Sequence, residues 1–111
     1  MSAYVPRQGD IIAVTFDPQS GHEQKGLRPG FVVSKYLFNK RTGMAMVCPI
    51  TNTDRKFPFH VLIPKKSKLT GFIMVEQVKS IDFRARQAKR IDNSNDELLT
   101  DVLSILDACI Y

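Results

Sequence analysis

The tail of the chain constrains the fold most. From Ser94 onward the sequence reads as a helix, and no earlier stretch does so as clearly. Ser94-Asn95-Asp96-Glu97 has the form of a capping box, in which a Ser oxygen accepts from the third backbone N–H and the Glu reaches back. Acids crowd the first turn, where the helix dipole is positive. Leu98, Val102, Ile105, Leu106 and Cys109 then recur at helical spacing as one apolar stripe, widened by Leu99, Leu103 and Ile110. One amphipathic helix at the end of a chain must bury its stripe against something. The preceding residues supply it as short strands.

Gly9 to Phe16 is rich in β-branched residues and predicts a first strand. Pro29 to Phe38 predicts a second, Met44 to Thr51 a third, Phe57 to Ile63 a fourth, and Gly71 to Val78 a fifth that is apolar enough to be central. Asn39 to Gly43 reads as a turn. Ile81 to Ile91 alternates Ile81, Phe83 and Ala85 with charges, which fits one strand or two short ones. Several short strands followed by one helix imply a mainly β protein, a curved antiparallel sheet or barrel with the C-terminal α-helix packed on it.

At 111 residues the chain is expected to form one domain, 1–111, with a single core. Hydrophobic residues at 43% and charged residues at 24% describe a globular protein. No apolar run is long enough to span a membrane, and Met1 to Pro6 lacks the pattern of a signal peptide, so a cytoplasmic location is expected. Cys48 and Cys109 match no metal-ligand spacing and are expected to be reduced, buried thiols. With two histidines and no Cys/His cluster, neither a structural metal nor a cofactor is expected.

Charge is unevenly placed. Residues 1–90 hold all 16 lysines and arginines against six acids, a formal +10, while residues 91–111 hold five acids and no base, a formal −5. A basic body suits a polyanion such as RNA or DNA, or an acidic protein partner; it is equally compatible with a plain solvated surface.

The residues that can carry chemistry sit mainly between the first two strands. The segment Asp17 to Arg28 is too long for a tight hairpin, and loops of this length are often functional. It holds Gly21-His22-Glu23-Gln24 and ends at Arg28-Pro29. His and Glu move protons, and Arg grips phosphate bidentately. Pro29 restrains the backbone just after Arg28. The same mixture would also suit an ordinary polar loop. Thr51 closes the third strand and offers a hydroxyl, although Thr51-Asn52-Thr53-Asp54 is also ordinary turn chemistry. Glu76-Gln77 interrupts an apolar strand, so its carboxylate faces either solvent or a site. Lys79, Arg84, Arg86, Lys89 and Arg90 interleave with Phe83, as a phosphate-and-base surface or a solvated face would. One chemistry fits this inventory without a metal. RNA carries its own nucleophile, the 2′-hydroxyl, and its cleavage needs a base, an acid and donors to the developing phosphorane. Glu23, His22, Arg28 and Thr51 provide those types.

At these residues the chain resembles the MazF/PemK toxin family, including its Kid and ChpB branches. The anchors are Gly9-Asp10-Ile11 with Phe16-Asp17-Pro18, Gly21-His22-Glu23-Gln24 with Gly26 and Arg28-Pro29, Asn39 with Thr42-Gly43-Met44, Pro49-Ile50-Thr51, and Glu76-Gln77-Val78-Lys79-Ser80-Ile81-Asp82 with Arg84-Ala85-Arg86. The resemblance implies an SH3-like curved sheet with a C-terminal helix. It implies a homodimeric ribonuclease toxin that cuts single-stranded RNA without a metal and leaves a 2′,3′-cyclic phosphate and a 5′-hydroxyl. A cognate antitoxin with a flexible acidic segment would neutralise it.

The resemblance places the catalytic Arg on Arg28, the strand-end Thr on Thr51, and the loop carboxylate and His on Glu23 and His22. In Kid-like relatives the loop His and a strand Asp take part, and those positions are His22 and Glu76 here. Gln24, Glu76, Gln77 and Lys79 are expected to read or hold the RNA, with Lys56, Arg84 and Arg86 as phosphate contacts. Where Kid-like relatives carry a strand Arg, this chain has Met74, which cannot bind phosphate ionically. Gly30 stands where relatives place a larger apolar residue. A gyrase-poisoning toxin of the same fold is a rival reading, but the tail Ala108-Cys109-Ile110-Tyr111 lacks the tryptophan such proteins carry. A non-catalytic nucleic-acid-binding barrel is the other.

Overall fold

The computed structural model describes residues 3–15 and 27–111. Its elements run β1 (Asp10–Thr15), β2 (Leu27–Val32), α1 (Tyr36–Thr42), β3 (Met44–Thr51), β4 (His60–Leu62), β5 (Phe72–Met74), a 3-10 turn (Val75–Gln77), β6 (Lys79–Asp82), β7 (Lys89–Asn93) and α2 (Asp96–Ile110). All strand pairs are antiparallel, in the order β4-β5-β3-β2-β1-β7, with β6 also on β3. The long strand β3 makes this possible. Its first half, Met44 to Val47, pairs with β6, and its last two residues pair with β5. The sheet therefore curves around β3 and stays open. The expected fold class, a mainly β curved sheet with a C-terminal helix, is the one observed.

The continuous apolar run of β1 has a direct cause, since both faces of the central strands are covered. Ile11, Phe31 and Cys48 belong to one core cluster with Ile50, Ile73 and Val75. Their neighbours Ile12, Val32 and Val47 belong to another with Val14, Ala45, Ile81 and Phe83. Helix α2 closes the first, with Leu98 and Val102 buried and Leu99, Leu103, Ile105 and Leu106 packed against it. Tyr4, Val5 and Ala88 close the second. Each fully buried aliphatic side chain contributes about 1.5–3 kcal/mol.

Several local expectations change. The cap of α2 is Asn95, whose side-chain oxygen accepts from Leu98 N–H at 2.8 Å, so the helix starts one residue later than a Ser94 cap would give. The second strand stops at Val32, and residues expected to be strand and turn form α1 instead. Its buried residue is polar. Asn39 Nδ2 donates to Pro6 O at 2.9 Å and to Ser34 O at 3.3 Å, and Oδ1 accepts from Ser34 Oγ at 2.5 Å. Leu37 and Phe38, whose apolarity suggested a strand, are exposed. Gly43 ends α1 at φ 75°, its N–H on Asn39 O at 2.9 Å. The fifth strand ends at Met74, because the chain turns through Val75–Gln77. Ile81 to Ile91 resolves into two strands, and pairing with β1 jumps from Asp92 to Arg90, a bulge at Ile91. Both cysteines are free thiols; Cys48 is buried as expected, whereas Cys109 is exposed. Burial first, and then the Glu76 charge, pushes the Cys48 thiol up to about 12, so it is unreactive. Among the described residues no helix is long and apolar enough to cross a membrane.

Candidate active site

The β2–β3 ladder pairs Phe31 with Cys48 and Gly30 with Pro49. Extended two places along the same register, it sets Arg28 across from Thr51, on the face that carries Gly30 and Pro49. A cavity of about 340 Å3 opens there, lined by Arg28, Pro29, Pro49 and Thr51 together with Asn52, Arg55, Thr70 and Met74. Arg28 is exposed and Thr51 half-buried, so both reach a ligand from the open side.

Thr51 is held on three sides. It pairs with Phe72 of β5. Thr53 N–H donates to its Oγ1 at 3.2 Å, which uses a lone pair and leaves the hydroxyl hydrogen to donate elsewhere. The turn reading of this segment and a role for the hydroxyl are thus compatible. Gly71, at φ +139°, comes so close that a Cβ there would sit 2.8 Å from Thr51 O and 3.0 Å from Ile50 Cγ2. Only a glycine lets the β4–β5 connection pack against the end of β3 this way.

Arg55 was not evident from the sequence as a site residue. It lies in the turn after Thr51, where Asp54 Oδ1 accepts from Lys56 N–H at 2.9 Å and Lys56 takes a positive φ of 54°. The turn carries Arg55 back to the cavity mouth and leaves Lys56 exposed outside the lining. The signal was present, a cation four residues beyond Thr51, but only the turn geometry selects Arg55 over its neighbour.

A second missed feature is His60. It pairs with Met74 in the β4–β5 ladder, one strand beyond Thr51 and Phe72, and shares their face by alternation. Its Nε2 lies 3.1 Å from Glu76 Oε2, with the histidine side chain only 4% exposed. Phe57 stands edge-on at 5.2 Å between ring centroids. His60 Nδ1 and Glu76 Oε1 are buried without a hydrogen-bond partner among the described residues. A carboxylate oriented by an imidazole is a proton-transfer pair in kind. Nothing in the alternating strand Phe57 to Ile63 distinguished His60 from an ordinary half-buried residue.

The remaining expected site residues are dispersed. His22, Glu23 and Gln24 lie outside the described residues. Glu76 and Gln77 sit in the 3-10 turn, Glu76 half-buried and Gln77 exposed. Lys79 is exposed on β6 opposite Val47. Arg86 closes the end of β1, with Nη1 donating to Thr15 O at 2.9 Å while Thr15 N–H and Oγ1 donate to Arg86 O at 3.1 and 3.2 Å. Arg84 lines a different, larger cavity. Among the described residues no group of three or more His, Cys, Asp or Glu is placed to hold a metal ion.

Comparison with known proteins matches residues 7–110 to the family described as PemK-like, MazF-like toxin of type II toxin-antitoxin system. The endoribonuclease toxin ChpB of Escherichia coli K12 is 43% identical over 108 residues, covering 93% of this chain and 92% of ChpB. The endoribonuclease toxin MazF of the same organism is 42% identical over 90 residues, covering 81% of this chain and 80% of its own. Among solved structures, MazF from Deinococcus radiodurans superposes with a TM-score of 0.86 at 32% identity, covering 97% of this chain and 98% of that one. A MazE–MazF complex from the same organism superposes with a TM-score of 0.86 at 27% identity, covering 97% of each chain. With the family match, the identities and the fold in agreement, the chain belongs to the PemK/MazF family of toxins of type II toxin–antitoxin systems.

Proposed function

We propose that this protein is a metal-independent, sequence-specific endoribonuclease toxin that cuts single-stranded messenger RNA in the cytoplasm, stops translation, and is neutralised by a cognate antitoxin. Family membership and the relatives named endoribonuclease toxins support the activity, and the MazE–MazF complex among the neighbours supports the antitoxin. The observation that carries the reading is the convergence of Arg28 and Thr51 on one face of one cavity.

In this mechanism the 2′-hydroxyl attacks the adjacent phosphorus as a base takes its proton. The 5′-oxygen leaves with a proton from an acid, giving a 2′,3′-cyclic phosphate and a 5′-hydroxyl. A guanidinium is a poor base, so Arg28 serves to bind the phosphate and the phosphorane charge. The Thr51 hydroxyl donates a second hydrogen bond. Arg55 brings another guanidinium to the same cavity and offsets Met74, which stands where Kid-like relatives carry an Arg. Glu23 is the general base, with His22 as alternative base or acid. The His60–Glu76 pair supports a role for the Glu76 carboxylate, at the position of the Kid-like strand Asp. Gln24, Gln77 and Lys79 hold or read the RNA, and Lys56, Arg84 and Arg86 meet phosphates. A homodimer is the proposed assembly. The edge strand β4 supports it, since its Leu62 is 61% exposed beside exposed Phe57 and Phe59.

The test is cleavage of a long single-stranded RNA in EDTA by the purified toxin freed of antitoxin, with the fragment ends mapped. Discrete cuts bearing cyclic-phosphate ends are expected. Intact RNA, or cleavage that requires added metal, contradicts the reading.

A further inference from the structure

A second cavity, larger than the one that holds Arg28, opens elsewhere on the fold. It measures about 810 Å3, within the range of about 300–1,000 Å3 usual for ligand sites, and shares no lining residue with the first. Four cations line it and come from four separate places: Arg7 from the N-terminal segment, Lys40 from α1, Arg84 from the β6–β7 turn and Arg90 from β7. Arg84 and Arg90 belong to the basic run around Phe83, and the fold brings Arg7 and Lys40 to them.

The one carboxylate in the lining does not neutralise them. Asp10 is 3% exposed, and its Oδ2 accepts from the Tyr4 hydroxyl and, at 3.0 Å, from Arg7 N–H. Burial first, and then Asp10, holds the Tyr4 hydroxyl protonated well above its usual range, which keeps this hydrogen bond in place. No ion pair joins Lys40, Arg84 or Arg90 to a carboxylate among the described residues. The cavity also presents a flat cationic surface, since the Arg7 guanidinium carbon lies 4.5 Å from the centroid of the Tyr36 ring. Cations without a carboxylate partner beside a stacked Arg–Tyr pair match the two parts of a nucleotide: phosphate oxygens for the cations, and a base for the planar surface.

We propose that this cavity is a second RNA-binding site, which takes the phosphates and a base of the substrate strand outside the step being cut. The inference rests on the ribonuclease reading. The site raises affinity for long RNA and leaves the chemical step alone. An acidic peptide shares the charge but has no base to stack, so the Arg7–Tyr36 pair favours RNA.

The test uses the Lys40→Gln/Arg90→Gln double variant. Both side chains are exposed and neither lines the Arg28–Thr51 cavity. Two substrates are compared, a long transcript and the shortest oligonucleotide around one of its mapped cut sites that wild type still cleaves. The expected result is a KM on the transcript raised about tenfold, with the dependence of log KM on log salt shallower by about 1.4, the value for two lost single-strand phosphate contacts. On the oligonucleotide kcat/KM stays within about twofold of wild type. Lys40→Glu/Arg90→Glu enlarges the effect, and an unchanged thermal midpoint shows that both variants are folded. An unchanged KM on the transcript overturns the proposal, as do equal losses on both substrates. Weakened binding of an acidic antitoxin peptide with unchanged KM on the transcript also overturns it, in favour of a peptide site. Failure of wild type to cut either RNA is a different outcome and sinks the ribonuclease reading itself.

Discussion

Thr51 reaches its place through a neighbour that has no side chain. Gly71 packs where a methyl group would meet Thr51 O at 2.8 Å, and its backbone is in a region that L-residues avoid. Gly71→Ala is therefore expected to cost about 2 kcal/mol of stability and to displace the end of β3. In urea unfolding and in single-turnover cleavage the variant should lose both stability and rate. A wild-type rate in a destabilised protein would show that the close approach does not position Thr51. Arg28 and Thr51 were candidates on residue type, but an ordinary polar loop and turn chemistry fitted them equally, and it was the resemblance to the MazF/PemK family that singled them out. Arg55 and His60 were singled out by neither. Selecting Arg55 over Lys56 depends on a turn with a positive φ at Lys56, and His60 becomes distinctive only when β4 pairs with β5 and sets it beside Glu76.

At the scale of elements, the strands were legible where burial follows a period. Met44 to Thr51 appears as β3 with the expected bounds, since alternate residues enter the two cores. Helix α1 was not legible, because its fixing residue is polar. Asn39 is fully buried and ties α1 to Pro6 and Ser34, and Ser34 Oγ in turn accepts from Met46 N–H at 2.8 Å. Apolar periodicity has nothing to report there, and exposed Leu37 and Phe38 mislead it. Asn39→Ala removes three hydrogen bonds and leaves the carbonyls of Pro6 and Ser34 and the Ser34 hydroxyl short of a partner. A loss of about 2–3 kcal/mol is expected by urea denaturation. A loss below about 0.5 kcal/mol, the size of an ordinary surface change, would mean that α1 is held by other contacts. The cap of α2 illustrates a milder limit. Ser94 and Asn95 are both competent caps, and Ser94 N–H instead donates to Gly9 O at 2.9 Å, which leaves Asn95 to start the helix.

Across the whole molecule, the charge asymmetry read from the sequence acquires an address. The acids of the tail lie mostly on α2, while cations from distant segments gather around two cavities that share no lining residue. The smaller cavity holds the two residues on which the proposed chemistry turns, and the most direct test of that chemistry is the single-turnover cleavage rate of saturating RNA by Arg28→Ala and Thr51→Val. If both side chains act on the phosphorane, Arg28→Ala should lower the rate by about 100-fold or more and Thr51→Val by about tenfold, with RNA affinity changed far less than the rate. An Arg28→Ala protein that cuts RNA within about threefold of the wild-type rate would contradict the account, because a guanidinium whose removal leaves the rate intact is not stabilising the transition state.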